Sequence, residues 1–482
     1  MKISPLSSRT YFLVRSGLVV GPCLLALSAG AQAQPAATPA AAPAAATTAP
    51  VTRAAPKTIY KFDFGSGDAA PGYTKVTPDM GFDAKRGFGF EPGAKVSAVG
   101  KDSGKTVEGD AITSEQPFYF TANVPEEGNY RVTVTLGNPE LSSNNTVKAE
   151  LRRLMAEKVV TEPGKFTTRT FLVNTRLPQY PGGTVRLKAP RETTGEAWAW
   201  DDKIELEFNG DHPSVAGIVI EKVDVPTLYI LGDSTVCDQS GEGFNSWGQM
   251  LTRWFKPEIA LANHAESGET IASSFGEKRF DKVFSIIKPG DYLIFQFAHN
   301  DMKSNAPNAL ATYKVDVKRA IDETRKRGAF PIVVGAMERS NGVTTDTLKG
   351  YPAAALEVAQ AEGVPGIDLH SMSQKFYQAL GPDVKLAFQD GVTHHNNYGS
   401  YELSKCIVLG IKGDKIDLAK YIVDDFPADF DPGKPDAMAT FAMTPSPRHA
   451  TARPLGDEST FGPAGADNAA APAAAPAPAA GK

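Results

Sequence analysis

Four short blocks hold the side-chain types that nucleophilic catalysis draws on: a hydroxyl, an imidazole beside a carboxylate, and groups able to donate hydrogen bonds. The first is Leu231-Gly232-Asp233-Ser234-Thr235. Ser234 follows an apolar strand, so its hydroxyl either opens into a crevice or caps a helix N-terminus, and the block alone leaves both readings open. The second, Asn263-His264-Ala265-Glu266-Ser267-Gly268, ends in a glycine whose missing Cβ lets a backbone N–H approach a substrate oxygen. In the third, Phe297-Ala298-His299-Asn300-Asp301, Asn300 has a side-chain amide to donate. The fourth, Asp390-Gly391-Val392-Thr393-His394-His395, sets a carboxylate next to two imidazoles, ahead of a helix expected from about Tyr398 to Ile411.

Other residues invite weaker readings. His264 and His299 are expected as hydrogen-bonded structural residues at strand ends. No His-Glu-x-x-His occurs, and the neighbouring His394 and His395 point in different directions, so no metal site and no cofactor are expected. No Gly-x-Ser-x-Gly elbow surrounds a candidate serine, which speaks against an α/β-hydrolase. Trp247 is read as helix core, with stacking on a sugar as the alternative. Asp233 is read as a brace for the serine turn, and Cys237 lacks a paired base.

These blocks need a scaffold that brings distant segments to one rim. From Pro226 short apolar strands (Leu228–Leu231, Ile259–Ala262, Tyr292–Phe297, Pro331–Val334) alternate with amphipathic stretches. Tyr313–Arg327 is the clearest helix, with Val315, Val317, Ile321 and Thr324 on one side and Gly328 as its stop. Strand–helix alternation with continuously apolar strands predicts a parallel sheet covered on both faces, with working groups at the carboxyl ends of its strands. Upstream the period changes to two: Ile59–Phe64, Tyr130–Leu136, Phe166–Val173, Thr184–Leu187 and Ile204–Phe208 alternate large and polar residues, which predicts a sandwich.

Length and composition set the outer bounds. A chain of 482 residues exceeds what one core usually serves, and 41% hydrophobic with 22% charged residues is ordinary for a globular protein. A formal charge of −5 gives no reason to expect nucleic acid or an anionic membrane as partner. Lys2, Arg9 and Arg15, then the apolar run Leu18–Leu27 and Ala31-Gln32-Ala33, read as a secretory signal peptide. Export to a periplasmic or extracellular location follows as an expectation. The expected divisions are 1–33 signal peptide, 34–56 Ala/Pro-rich linker, 57–225 β-sandwich, 226–425 catalytic domain and 426–482 low-complexity tail. Cys237 and Cys406 are expected as buried free thiols, although an oxidising compartment would permit a disulfide.

The order and spacing of the four blocks resemble the SGNH (GDSL-type) hydrolases. Leu228–Gln239, Ser246-Trp247-Gly248-Gln249, Asn263–Gly268, Lys288-Pro289-Gly290-Asp291-Tyr292, His299-Asn300-Asp301 and His394–Lys405 look more specifically like the rhamnogalacturonan acetylesterase family. Phe62-Asp63-Phe64-Gly65 and Pro71-Gly72-Tyr73 resemble the β-sandwich that precedes the catalytic domain in some bacterial members. The likeness runs from about Tyr60 to Asp425. It implies an α/β fold: a flavodoxin-like three-layer α/β/α hydrolase domain preceded by an all-β sandwich.

It also implies roles. Ser234 would be the nucleophile, His394 the base and Asp390 the acid that orients it, with the N–H groups of Ser234 and Gly268 and the Asn300 amide as oxyanion hole. The implied substrate is an O-acetylated polysaccharide, rhamnogalacturonan of pectin first and acetylxylan next. A lipid or thioester hydrolase and an impaired, carbohydrate-binding hydrolase are the rivals. Two departures bear on this. The family places its acid three residues before the histidine, whereas Asp390 lies four before His394, which leaves Asp383 as an alternative acid and His395 as an alternative base. Ala298 stands where the family has glycine and could crowd the substrate.

Overall fold

The computed structural model describes residues 53–101 and 105–456. The expected signal peptide, residues 34–52 of the expected linker and residues 457–482 lie outside the described residues.

The C-terminal half is built on five parallel strands: Thr227–Gly232, Ala260–Asn263, Tyr292–Gln296, Phe330–Gly335 and Gly366–Asp368. Counted along the chain, they lie in the order second, first, third, fourth, fifth. This is the flavodoxin-like order, whose switch point falls beside the first strand. Alternate residues of each strand enter opposite cores. Leu228, Ile230, Ile294 and Ile332 pack with the helices Leu369–Leu380 and Asn397–Gly413. Tyr229, Leu231, Leu293 and Val333 pack with Arg279–Ile286, Ala309–Arg325 and Tyr351–Glu362. Burial on both faces explains why these strands read as unbroken apolar runs. The fifth strand is short and contributes one apolar residue, Ile367, so no run marked it.

The helix expected at Tyr313–Arg327 spans Ala309–Arg325. Its buried face is Tyr313, Val317, Ala320, Ile321 and Thr324, whereas Val315 is exposed. An ideal helix turns 100° per residue, so Val315 cannot share a face with Val317.

Upstream, two sheets, antiparallel except where Thr74–Val76 runs parallel to Lys57–Phe64, enclose an aromatic core. One includes Lys57–Phe64, Gly128–Asn138, Lys165–Thr175 and Ser214–Lys222, and the other includes Phe118–Asn123, Ser143–Ala149, Arg153–Thr161 and Lys203–Asp211. Phe62, Phe64, Phe118, Phe120 and Phe208 meet between them in edge-to-face and stacked pairs. The strand expected at Thr184–Leu187 is reduced to Gly183–Thr184.

Two expectations about the ends change. Arg53, placed in the linker, pairs with Asp224 at 3.2 Å. Phe426–Gly456, expected as low-complexity tail, packs across both halves. Phe426 meets the Trp254 ring at 5.4 Å and Phe441 meets Tyr398 at 5.5 Å. The Lys148 ammonium donates to Ser446 Oγ at 2.7 Å, and the His449 ring stacks on Trp198 at 3.7 Å. These scattered aromatic and polar anchors hold a segment whose overall Ala/Pro content signals no element of its own. Among the described residues no helix is long and apolar enough to cross a membrane.

Candidate active site

The first parallel strand ends at Gly232, where a Cβ would stand 2.6 Å from Val236 Cγ2 and 2.7 Å from the Gln296 carbonyl oxygen. Only glycine lets the chain turn this tightly. Asp233 then shapes the turn. Its Oδ1 accepts from the Thr235 N–H at 3.0 Å and hydroxyl at 2.8 Å, and its carbonyl accepts from the Val236 and Cys237 N–H groups, both at 3.0 Å. No helix begins here, so the capping alternative for Ser234 is not the one the chain adopts. Asp233 braces the turn, and the serine hydroxyl is left for another partner.

That partner is His394. Its Nε2 lies 2.9 Å from Ser234 Oγ, and its Nδ1 lies 2.6 Å from Asp390 Oδ2. Asp390 reaches it from a compact turn rather than from a helix. Its other oxygen accepts the backbone N–H groups of Val392 at 2.9 Å, Thr393 at 2.8 Å and His394 at 3.0 Å. Gly391 takes φ +72° inside that turn, and Ser340 ties it from outside by donating Oγ–H to the Gly391 carbonyl at 2.7 Å. The extra residue between acid and base is thus absorbed by a turn that the acid itself caps. Burial raises the Asp390 pKa, but the Val392 N–H, the His394 ring and the Thr393 and His394 N–H groups outweigh it and hold the carboxyl below its usual range.

Around this relay stand possible donors. Among the described residues, neither the Ser234 nor the Gly268 backbone N–H takes part in a backbone–backbone hydrogen bond. Gly268 has φ +79°, a conformation that favours glycine. The Asn300 amide spends one N–H on the Glu269 carbonyl at 2.9 Å and is steadied by Lys303, which donates to its oxygen at 2.7 Å. One amide hydrogen remains for an incoming oxygen. Ala298 is fully buried in the core beneath, so its methyl does not enter the crevice.

Residues from the β-sandwich complete the surroundings, and no motif announced them. Lys188 donates to the Ser267 carbonyl at 2.9 Å and is paired with Glu269, on either side of Gly268. Arg191 donates to the same carbonyl at 2.9 Å and is paired with Glu266. Arg152 holds the segment after the nucleophile through the Gln239, Gly241 and Phe244 carbonyls, at 2.7, 2.9 and 2.6 Å. Phe244 in turn sets its ring edge-to-face with His394, centroids 5.9 Å apart. The signal available in the sequence was only a cluster of charges after the last small strands, which reads as surface.

The remaining candidates fall away from the relay. His395 is buried, hydrogen-bonded to the Tyr377 hydroxyl at 2.8 Å, and pushed by burial down to about 3, so it stays neutral and faces away. Asp383 sits in the 3-10 helix Gly381–Ala387 and makes no hydrogen bond to the His394 ring among the described residues. His264 and His299 are buried, but their ring nitrogens have no hydrogen-bond partner among the described residues, contrary to the expectation of hydrogen-bonded structural roles. Burial lowers the pKa of both and keeps them neutral, which makes the unpaired rings tolerable. Trp247 is fully buried and donates to Gln296 Oε1 at 3.0 Å, as core. Cys237 and Cys406 are free and buried. A surface recess of about 210 Å³ beside Tyr180, Phe284, Arg319 and Arg327 includes no residue of the relay.

Residues 230–400 match the GDSL-like lipase/acylhydrolase family, and residues 60–168 match a galactose-binding-like domain described as beta-agarase/YXIM esterase-like. The chain is 27% identical over 376 residues to a Bacillus subtilis protein named uncharacterized esterase YxiM, covering 75% of this chain and 92% of the relative. It is 30% identical over 217 residues to the rhamnogalacturonan acetylesterase RhgT of Bacillus subtilis, covering 41% of this chain and 94% of that relative. The crystal structure of YxiM aligns with 25% identity and a TM-score of 0.40, over 74% of this chain and 99% of that one.

Proposed function

The chain belongs to the GDSL-like lipase/acylhydrolase family, and from that premise we propose that it is a serine esterase that removes O-acetyl groups from a polysaccharide, rhamnogalacturonan before acetylxylan, outside the cytoplasm. The observation that carries the reading is the continuous hydrogen-bonded line from Ser234 through His394 to Asp390.

The chemistry follows from that line. As Ser234 Oγ bonds to the acetyl carbonyl carbon, its proton passes to His394 Nε2, and Asp390 stabilises the imidazolium. The carbonyl oxygen becomes an oxyanion facing the N–H groups of Ser234 and Gly268 and the free amide hydrogen of Asn300. Collapse breaks the bond to the sugar oxygen, which leaves with the proton from His394. Water, deprotonated by the same imidazole, then attacks the acetyl-serine and releases acetate.

The name of the relative RhgT supports rhamnogalacturonan, and the galactose-binding-like domain supports a carbohydrate partner. Acetate release from acetylated rhamnogalacturonan, acetylated xylan, long-chain acyl esters and acyl thioesters tests this. Fastest release from rhamnogalacturonan is expected. Release from xylan alone would overturn the substrate, and preference for long acyl chains would overturn the class.

A further inference from the structure

The second sheet of the sandwich carries an unusual outer face. In Lys203–Asp211, Ile204, Leu206 and Phe208 point into the aromatic core, so Lys203, Glu205 and Glu207 point the other way. That outer face is nonetheless buried: Asp201, next to Trp200 in the covering segment, lies against Glu205, and the Thr444 carbonyl and Ser446 hydroxyl meet Lys148 beside Glu207. Glu205 sits in its middle, fully buried, with no hydrogen-bond partner for either carboxylate oxygen. On one side its register partner is Thr121, also fully buried and with an unpartnered hydroxyl. Directly opposite residues share a face with Cβ atoms about 4.5–5.5 Å apart, so this hydroxyl is turned toward the same space. On the other side lies Glu150, whose N–H donates to the Glu205 carbonyl at 3.0 Å and whose Oε1 is unpartnered. Asp201 comes from the covering segment. One carboxylate oxygen from each of Glu150, Asp201 and Glu205 lies within 4.8 Å of the others.

Three buried carboxylates that close repel one another unless protons or a cation intervene. Arg153 and then Arg176 offset part of the charge on Glu150, and Lys203 part of that on Glu205, although Arg153 is shared with Asp238 at 2.7 Å. Glu91 adds a further negative charge near Glu205.

We propose that Glu150, Asp201 and Glu205, with the Thr121 hydroxyl, bind one calcium ion that ties the sandwich to the nucleophile segment. All donors are oxygens and none is histidine or cysteine, which selects a hard cation. Ligands at about 2.3–2.6 Å on opposite sides of Ca²⁺ lie about 5 Å apart, which fits the observed spread. Mg²⁺ demands a tighter octahedron, which a strand, a turn and a covering loop do not supply. The placement gives the ion a consequence. Glu150 begins the left-handed turn Glu150–Arg152, with φ +54° and +60° at its ends. From that turn Arg152 grips the Gln239, Gly241 and Phe244 carbonyls beside the relay.

The test uses the whole chain after dialysis against EGTA. Calorimetric titration with CaCl₂ and luminescence of Tb³⁺, sensitised by Trp198 and Trp200 in the covering segment, should each report one saturable ion per chain. Tm should rise by several degrees with CaCl₂ and much less with MgCl₂. Glu205→Gln, folded by circular dichroism, should lose the Tb³⁺ signal and the Tm response. Asp346→Asn should retain both, because Asp346 belongs to a separate cluster with Glu338 and His370. Equal Tm of the native chain in EGTA and in CaCl₂, without saturable binding, would overturn the proposal in favour of a protonated, metal-free trio, and this arm decides the matter even if Glu205→Gln fails to fold. Binding that survives Glu205→Gln but is lost in Asp346→Asn would also overturn it.

Discussion

Replacing Asp390 by asparagine separates the two tasks of that carboxylate. The asparagine oxygen can still accept the N–H groups of Val392, Thr393 and His394, now held at 2.8–3.0 Å, so the turn should keep its shape. The amide nitrogen then stands where Oδ2 now lies 2.6 Å from His394 Nδ1. A donor there requires Nδ1 to accept, which moves the imidazole proton to Nε2. A protonated Nε2 cannot take the proton of Ser234 Oγ, 2.9 Å away. In serine hydrolases the wrong tautomer costs about 10⁴ in kcat, or about 5.5 kcal/mol of barrier. The Asp390 side chain is 32% exposed, so water can meet part of the need, and the expected loss is about 10³–10⁴ in kcat with KM little changed. Asp390→Ala should lose the turn as well and raise KM. Steady-state hydrolysis of p-nitrophenyl acetate, corrected for spontaneous hydrolysis and paired with circular dichroism, measures both. If Asp390→Asn keeps more than about a tenth of native kcat while Asp383→Asn abolishes it, the assignment of the acid is refuted.

Three further outcomes follow from the same geometry. Asn300→Ala should lower kcat by about 10²–10³, as loss of one oxyanion donor does elsewhere; an unchanged kcat would leave the amide with only its link to the Glu269 carbonyl. Arg191→Ala combined with Lys188→Ala should lower kcat by about 10- to 100-fold through displacement of Gly268, with the sandwich still folded by circular dichroism; full activity would show that the 266–269 loop holds its shape alone. Burial, with Asp233 nearby, pushes Asp301 up to about 7, so between pH 4 and 7 the unfolded chain releases a proton that the folded chain keeps. Stability from this group is complete below about pH 4 and is lost as pH rises toward 7, by at most about 1.4 kcal/mol per unit. The Tm of Asp301→Asn should rise relative to that of the native protein over that range, and a constant difference would count against a raised Asp301.

The relay and the parallel sheet were legible because both depend on local pattern. Strands such as Leu228–Leu231 are buried on both faces and therefore read as apolar runs, and Ser234, Gly268 and Asn300 lie within five residues of the carboxyl ends of such strands. The turn at Asp390 is not legible, because a carboxylate that caps three N–H groups leaves no periodic trace. Val315 was assigned to the buried face because its side chain is apolar, although the helix geometry sets it outward. Lys188, Arg191 and Arg152 were invisible for a different reason: a charge that meets its partner across a domain boundary looks, in one dimension, like a solvated charge. His449 and Phe441 lay hidden in a segment whose average composition masks a few anchoring rings.

A fluorophosphonate, which phosphonylates only a serine whose hydroxyl is activated, interrogates the Ser234–His394 contact directly. Mass spectrometry of the digested, labelled protein should find one adduct, on Ser234, and His394→Ala should slow its formation about 10³-fold or more. An adduct on another serine, or labelling of Ser234 at the native rate without the imidazole, would contradict the account.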